Sequence, residues 1–166
     1  AVDAFDAAEA LDPTRPEIYI GKARAHEARR DNRQAAINWA KALGTAPNSL
    51  DVRLGRGAFY LRAGNAPQAL QEFNAALVIS AEAPDPDALY NRALTLIALD
   101  KMPEAERDLS RLLQDYPNDA AAYYNRGRSR AMRDPNAAIA DFDKASALSP
   151  EWADPWFASG RVFDSA

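Results

Sequence analysis

The chain has 166 residues, 48% of them hydrophobic and 27% charged, with a formal net charge of −4; that is the size and balance of one soluble domain. It has no cysteine and a single histidine, which excludes disulfides, thiolate metal sites and cysteine nucleophiles and makes a zinc site improbable. No basic cluster is present, so no nucleic-acid partner is expected. No apolar run approaches the roughly 20 residues that cross a bilayer, so no membrane insertion is expected either. No signal-peptide pattern opens the chain. Arg greatly outnumbers Lys and Ala is abundant, which points to a GC-rich bacterial gene; the compartment, bacterial cytoplasm or periplasm, stays open.

Residues 1–13 read as the second helix of a helical hairpin, with Phe5, Ala8 and Pro13 in register with later units. Four complete hairpins follow, at 14–47, 48–83, 84–117 and 118–150. Residues 151–166 read as a first helix alone. In each first helix a larger residue precedes a small one by four: Tyr19 and Ala23, Arg53 and Gly57, Leu89 and Ala93, Tyr123 and Gly127, Trp156 and Gly160. The second helices open on Ala35, Ala69, Ala105 and Ala138. Four residues on come Trp39, Phe73, Leu109 and Phe142, and three further Ala42, Ala76, Leu112 and Ala145. This is the i, i+4, i+7 stripe of a helix that buries one side. Small residues let two backbones approach, and the large one fills the space beside them.

The prolines fit the same register. Pro47 lies 34 residues after Pro13, and Pro150 lies 33 after Pro117. Between Pro47 and Pro117 are 70 residues, two units plus two extra, and the extra pair falls in the loop-like patch around Pro84 and Asp85. A proline inside a helix costs about 3 kcal/mol. Here Pro13, Pro47, Pro117 and Pro150 follow second helices, while Pro16, Pro86, Pro155, Pro67, Pro103 and Pro135 fall in first turns. Gly64 suits a helix C-terminal cap.

A repeat of 34 residues with W-x-x-[small]-G-x-x-[aromatic], then Ala, aromatic, Ala and a closing Pro, resembles the tetratricopeptide repeat. Trp156-Phe157-Ala158-Ser159-Gly160-Arg161-Val162-Phe163 is the nearest match to its first-helix signature. The resemblance covers nearly the whole chain. It implies one domain over residues 1–166, an all-α, right-handed superhelical solenoid with first helices on the concave side. Ile20, Leu54, Tyr90, Tyr124 and Phe157 would then face the groove. One turn on come Arg24, Ala58, Leu94, Arg128 and Arg161, and one turn earlier Glu17, Asp51, Asp87 and Asp154. Asn91 and Asn125 stand beside the two tyrosines. Aromatic residues and Arg are enriched at binding hot spots. The expected function is a protein–protein interaction scaffold that takes a peptide or helix of a partner protein. The expected contacts are Leu54, Tyr90, Asn91, Tyr124, Asn125, Arg128, Phe157, Arg161 and Arg24. The family's chaperone-tail clamp needs groove lysines, which are absent here.

No catalytic constellation emerges, and neither an enzyme, a cofactor nor a metal site is expected. His26 shares the aromatic packing slot of Tyr60. Gly55-Arg56-Gly57 lies within a helix pattern and lacks the strand and GK[ST] of a phosphate loop. Asp85-Pro86-Asp87 lacks the glycine and bidentate Glu of a calcium loop. Asp141 and Asp143 flank Phe142 and are expected on a solvated face. Arg53 and Arg130 stand where sister units have large apolar residues, and Leu109 and Leu112 replace an aromatic and a small residue, so looser packing is expected there. Neither end shows the polar outer face of a capping helix. The sequence is therefore expected to be a fragment of a longer array, with two alternative roles: the accessory arm of a larger enzyme or secretion machine, or self-association through uncapped ends.

Overall fold

The computed structural model describes residues 2–165, apart from the side chains at 3 and 163–165. Among the described residues there are ten α-helices and no strand. The chain falls into two compact units that divide after Pro84, Ala1–Pro84 and Asp85–Ala166. The first holds α1 (Val2–Leu11), α2 (Pro16–Ala28), α3 (Asn32–Thr45), α4 (Leu50–Arg62) and α5 (Ala66–Ile79). The second holds α6 (Pro86–Ala98), α7 (Met102–Asp115), α8 (Ala120–Arg130), α9 (Pro135–Leu148) and α10 (Ala153–Ser165). The division coincides with the two-residue insertion around Pro84 and Asp85.

Six helices begin where a side chain satisfies a free amide. Asp31, Ser49, Asn65, Asp85, Asp119 and Asp134 accept from the backbone N–H three residues on. Loss of such a cap costs about 1 kcal/mol. Proline stands at the first or second position of α2, α5, α6, α7 and α9, where its missing N–H has no role. Between α4 and α5 the chain turns on Gly64 at φ 77°. The equivalent residues of two sister hairpins are Arg30 at φ 59° and Asp100 at φ 58°. A side chain makes that left-handed conformation unfavourable. The turn from α8 to α9 is one residue shorter and closes differently: Arg133 and Asp134 both donate their N–H to the Arg130 carbonyl, each at 2.8 Å.

The core of each unit is the expected stripe. Ala35, Ala42, Ala69, Ala76, Ala105, Ala138 and Ala145 are fully buried, as are Trp39, Phe73, Leu109 and Phe142. Full burial of one large apolar side chain contributes about 1.5–3 kcal/mol. The small slots admit these rings closely. A Cβ on Gly57 would stand 2.7 Å from the Phe73 ring, and one on Gly127 would stand 2.7 Å from Phe142. In two earlier second helices the ring at this slot meets the following first helix. The Phe5 ring lies against Gly21, and Trp39 against Gly55. At Gly160 a Cβ would meet nothing within 4 Å.

Three expectations change. Arg53 is not a packing defect: its guanidinium reaches Glu72 at 2.9 Å and the Pro47 carbonyl at 3.1 Å. Arg130 likewise bonds Glu106 and Asp141, both at 2.9 Å. Asp141 does not lie on a solvated face but is 3% exposed, because Arg126 and Arg130 neutralise it. Asp143 is exposed and accepts from the Ser159 hydroxyl at 3.0 Å. Phe163, the sister of Tyr60 and Arg130, has its side chain outside the described residues.

Candidate functional site

Several arginines of the first helices are already matched to carboxylates within their own hairpin. Arg56 and Arg53 share Glu72. Arg92 grips Asp108 through two bonds of 2.7 Å. Arg126 grips Asp141 at 2.7 and 3.0 Å, with Arg130 on the same carboxylate. A planar guanidinium meets a carboxylate best in this forked geometry. In each case the basic residue directly precedes the small slot of the first helix, and the acid directly precedes the buried large residue of the second. The first hairpin differs. Asn38 stands in the acid's place and donates to its own helix at Gln34. Lys22 turns instead to Asp6 and Glu9 on α1.

Against this background the unmatched arginines stand out. In unit 1, Arg24 is exposed on α2, while Ile20, Leu54 and Ala58 are half-buried on α2 and α4. Glu17, on the same face, pairs with Arg15 at 3.5 Å.

Unit 2 brings more of the expected residues together. Tyr124 stacks on Trp152, with ring centroids 4.7 Å apart, and leans on Phe142 at 5.7 Å. The Arg128 guanidinium stands 5.9 Å from the Tyr124 ring centroid, within cation–π range. Tyr124, Arg128 and Arg161 line one open cavity of about 610 Å³, completed by Ala131, Met132, Ala158 and Val162. Among the described residues, no carboxylate lies within ion-pair distance of Arg128 or Arg161. Met132 is 98% exposed.

Asn125 is buried, 5% exposed, so it offers little to a ligand directly. Its amide nitrogen donates to the Tyr90 hydroxyl at 3.1 Å and to the Ala121 carbonyl at 2.9 Å. Its amide oxygen accepts from Arg128 at 2.9 Å. It therefore holds Tyr90 of α6 and Arg128 of α8 in fixed positions. Tyr90 lines a second cavity of about 370 Å³, with Pro86, Asp87, Leu112, Tyr116, Asp119 and Ala121. Burial, and then the Asp119 carboxylate, push the Tyr90 hydroxyl above its ordinary pKa, outweighing the opposite pull of Asn125 and Arg128. The phenol is thus held neutral at physiological pH.

The other expected residues stand apart. Asn91 donates to the Asp87 carbonyl on its own helix at 2.8 Å. Phe157 is 71% exposed on α10 and outside the cavity lining. His26 is half-buried, with Nδ1 3.4 Å from the Asp31 carboxylate but no hydrogen bond formed. Sequence reasoning placed Asp87 on the acidic flank of the groove but missed the ion-pair series, the place of Asp119 and Tyr116 beside Asp87, and Met132. The first was visible in register, as a basic residue at positions 22, 56, 92 and 126 and an acid at 72, 108 and 141. Nothing in the sequence marks Asp119 and Tyr116 as neighbours of Asp87, or Met132 as part of a cavity wall.

No group of three or more potential metal ligands occurs among the described residues, and no described helix is long and apolar enough to cross a membrane.

Comparison with known proteins agrees on the architecture. No curated protein matches the sequence significantly. Among solved structures, YrrB, described as a TPR protein with an unusual peptide-binding site, superposes with a TM-score of 0.83 at 22% identity, over 99% of this chain and 84% of that one. MamA gives 0.82 at 21% identity, over 90% and 81%. A tetratricopeptide repeat protein from Parabacteroides merdae gives 0.86 at 19%, over 99% and 65%. At these identities the likeness shows the fold, an all-α solenoid of paired helices. Two tetratricopeptide repeat profiles match residues 20–88 and 87–119. With hairpins that place a buried aromatic or leucine on a small-residue slot across this same stretch, the chain belongs to the tetratricopeptide repeat family.

Proposed function

We propose that this protein–protein interaction module takes a peptide or short helix of its partner on the face built by α6, α8 and α10. The observation that carries this reading is the cavity where Tyr124, Arg128 and Arg161 converge, with no carboxylate among the described residues to neutralise the two arginines. Aromatic and arginine side chains held in place by their neighbours are the usual anchors of a binding surface. Tyr124 is fixed by Trp152 and Phe142, and Arg128 by Asn125, so little side-chain freedom remains to be lost on binding. YrrB, with the same fold, is described as carrying a peptide-binding site. Leu54 and Arg24 would be contacts of unit 1 taken by itself.

Selection of a phage-displayed random dodecapeptide library on the whole chain tests this. Peptides that bind wild type should lose affinity at least tenfold on the paired change Tyr124→Ala and Arg128→Ala. Helical content measured by circular dichroism should be retained. Unchanged binding by the folded variant sinks the assignment.

A second reading rests on α10. Gly160 faces open space where Gly57 and Gly127 receive phenylalanine rings, and Trp156 and Phe157 beside it are 58% and 71% exposed. This face suits an aromatic-bearing helix such as α1 of a second copy, a head-to-tail contact that does not close on itself. Mass in solution that rises with concentration supports it; a strict monomer across a wide range rejects it.

A further inference from the structure

The stripe Ala121, Tyr124, Arg128 and Ala131 runs along one face of α8, at spacings of three and four. One cavity lies at each end of it. The cavity at the start of α8 is acidic and aromatic: Asp87, Asp119, Tyr90 and Tyr116 line it. Asp119 already accepts from the Ala122 N–H at 2.9 Å, yet among the described residues neither aspartate has a cation within ion-pair distance. The cavity toward the end of α8 carries Arg128 and Arg161 against the apolar Met132, Ala158 and Val162. Elsewhere Arg53, Arg56, Arg92 and Arg126 pair with carboxylates of their own hairpins. Here charges of opposite sign stay apart on neighbouring cavities, and Asn125 spans them by bonding Tyr90 on one side and Arg128 on the other.

Resting on the peptide-binding reading above, we infer that this face selects a two-charge segment: a basic side chain seats in the Asp87/Asp119/Tyr90 cavity, and an acidic one meets Arg128 and Arg161. The two tyrosines suit a cation, whose charge is attracted to ring faces as well as to the carboxylates. The apolar floor beside the arginines suits a hydrophobic neighbour of the acid. From Ala121 to Arg128 the axis of α8 advances about 10 Å at 1.5 Å per residue. An extended peptide covers that distance in about three residues. Opposite charges at that separation fix the register and direction of the bound segment, because sliding or reversing it brings like charges together.

Charge reversal reads this out. Dodecapeptides selected on the wild-type chain should be enriched in a Lys or Arg and an Asp or Glu in one order at one spacing. Arg161→Glu, an exposed position with no packing duty, should weaken such peptides roughly tenfold. Exchanging the peptide's acid for Lys should recover most of that loss. Asp87→Lys should do the same for the basic position alone. Rescue by the matched exchange is the decisive outcome, since a variant that merely perturbs the fold cannot be rescued from the peptide side. Selected peptides without paired charges, or insensitive to both reversals, overturn the two-charge reading and leave the binding face intact. Failure to enrich any peptide overturns both.

Discussion

The first and last complete hairpins solve one problem in opposite ways. In α2–α3 the slot before the buried tryptophan holds Asn38, and Lys22 leaves its own hairpin for Asp6 and Glu9 of α1. In α8–α9 the same slot holds Asp141, which gathers Arg126 and Arg130. Beneath it both bury a ring against a glycine of a first helix: Trp39 on Gly55 of the next hairpin, and Phe142 on Gly127 of its own. The lesson is that the ring-on-small-residue contact defines the repeat, while the polar layer above it is free to vary and so to link either a hairpin to itself or one hairpin to the preceding helix.

Phe142→Ala and Phe73→Ala test the shared part and should have the largest effects. Each removes a buried ring and costs about 3–5 kcal/mol, measured by chemical denaturation. A marked inequality between them would break the claim that the slot is equivalent in both units. Asp141→Ala comes next. It strands two mostly buried guanidinium groups and should cost about 3 kcal/mol, whereas Asn38→Ala should cost about 1 kcal/mol. If Arg126→Met and Arg130→Met added to Asp141→Leu restore stability, the pair is replaceable and the ring contact is what the repeat needs.

Acid sharpens the comparison further. Hydrogen bonds from Lys22 and then Lys41 hold Glu9 down to about 2 from its ordinary 4.5. A carboxylate with a depressed folded pKa stabilises above its ordinary value and loses that contribution as pH falls through the folded one. The α1–α2 contact should therefore weaken between about pH 4.5 and pH 2. Glu9→Gln should flatten the fall of the melting temperature across that window. At Glu106 burial pushes upward, but Arg130 and Arg133 more than offset it and the carboxyl is held low. The smallest expected effect is at the turns. Arg30→Gly and Asp100→Gly should each stabilise by roughly 0.5–1 kcal/mol, since the left-handed strain they relieve exceeds the chain entropy they add. Gly64→Ala should destabilise by a similar amount, read from the same denaturation curves.

Much of this fold was legible because the repeat prints its apolar slots many times. Ala35, Trp39 and Ala42 have counterparts in register, so one misread residue changes little. The insertion at Pro84 was legible for the same reason, as a break in an otherwise regular spacing. Charged positions resisted reading because a lone Asp or Arg on a helix looks solvated, as Asp141 did, until a partner sixteen or so residues away is placed against it. The candidate site was legible in its residue types but not in its division of labour. Tyr90-Asn91 and Tyr124-Asn125 are the same dipeptide, yet Asn91 bonds only its own helix while Asn125 reaches across to another. That difference depends on which helix lies alongside, which the local sequence does not encode.

The Asn125 amide is a rigid planar group, and both of its ends are in use. Turning one end necessarily turns the other, so the positions of Arg128 and of the Tyr90 phenol answer to one side chain. On the proposed reading, a bound chain that turned this amide would alter both hollows flanking α8 at once.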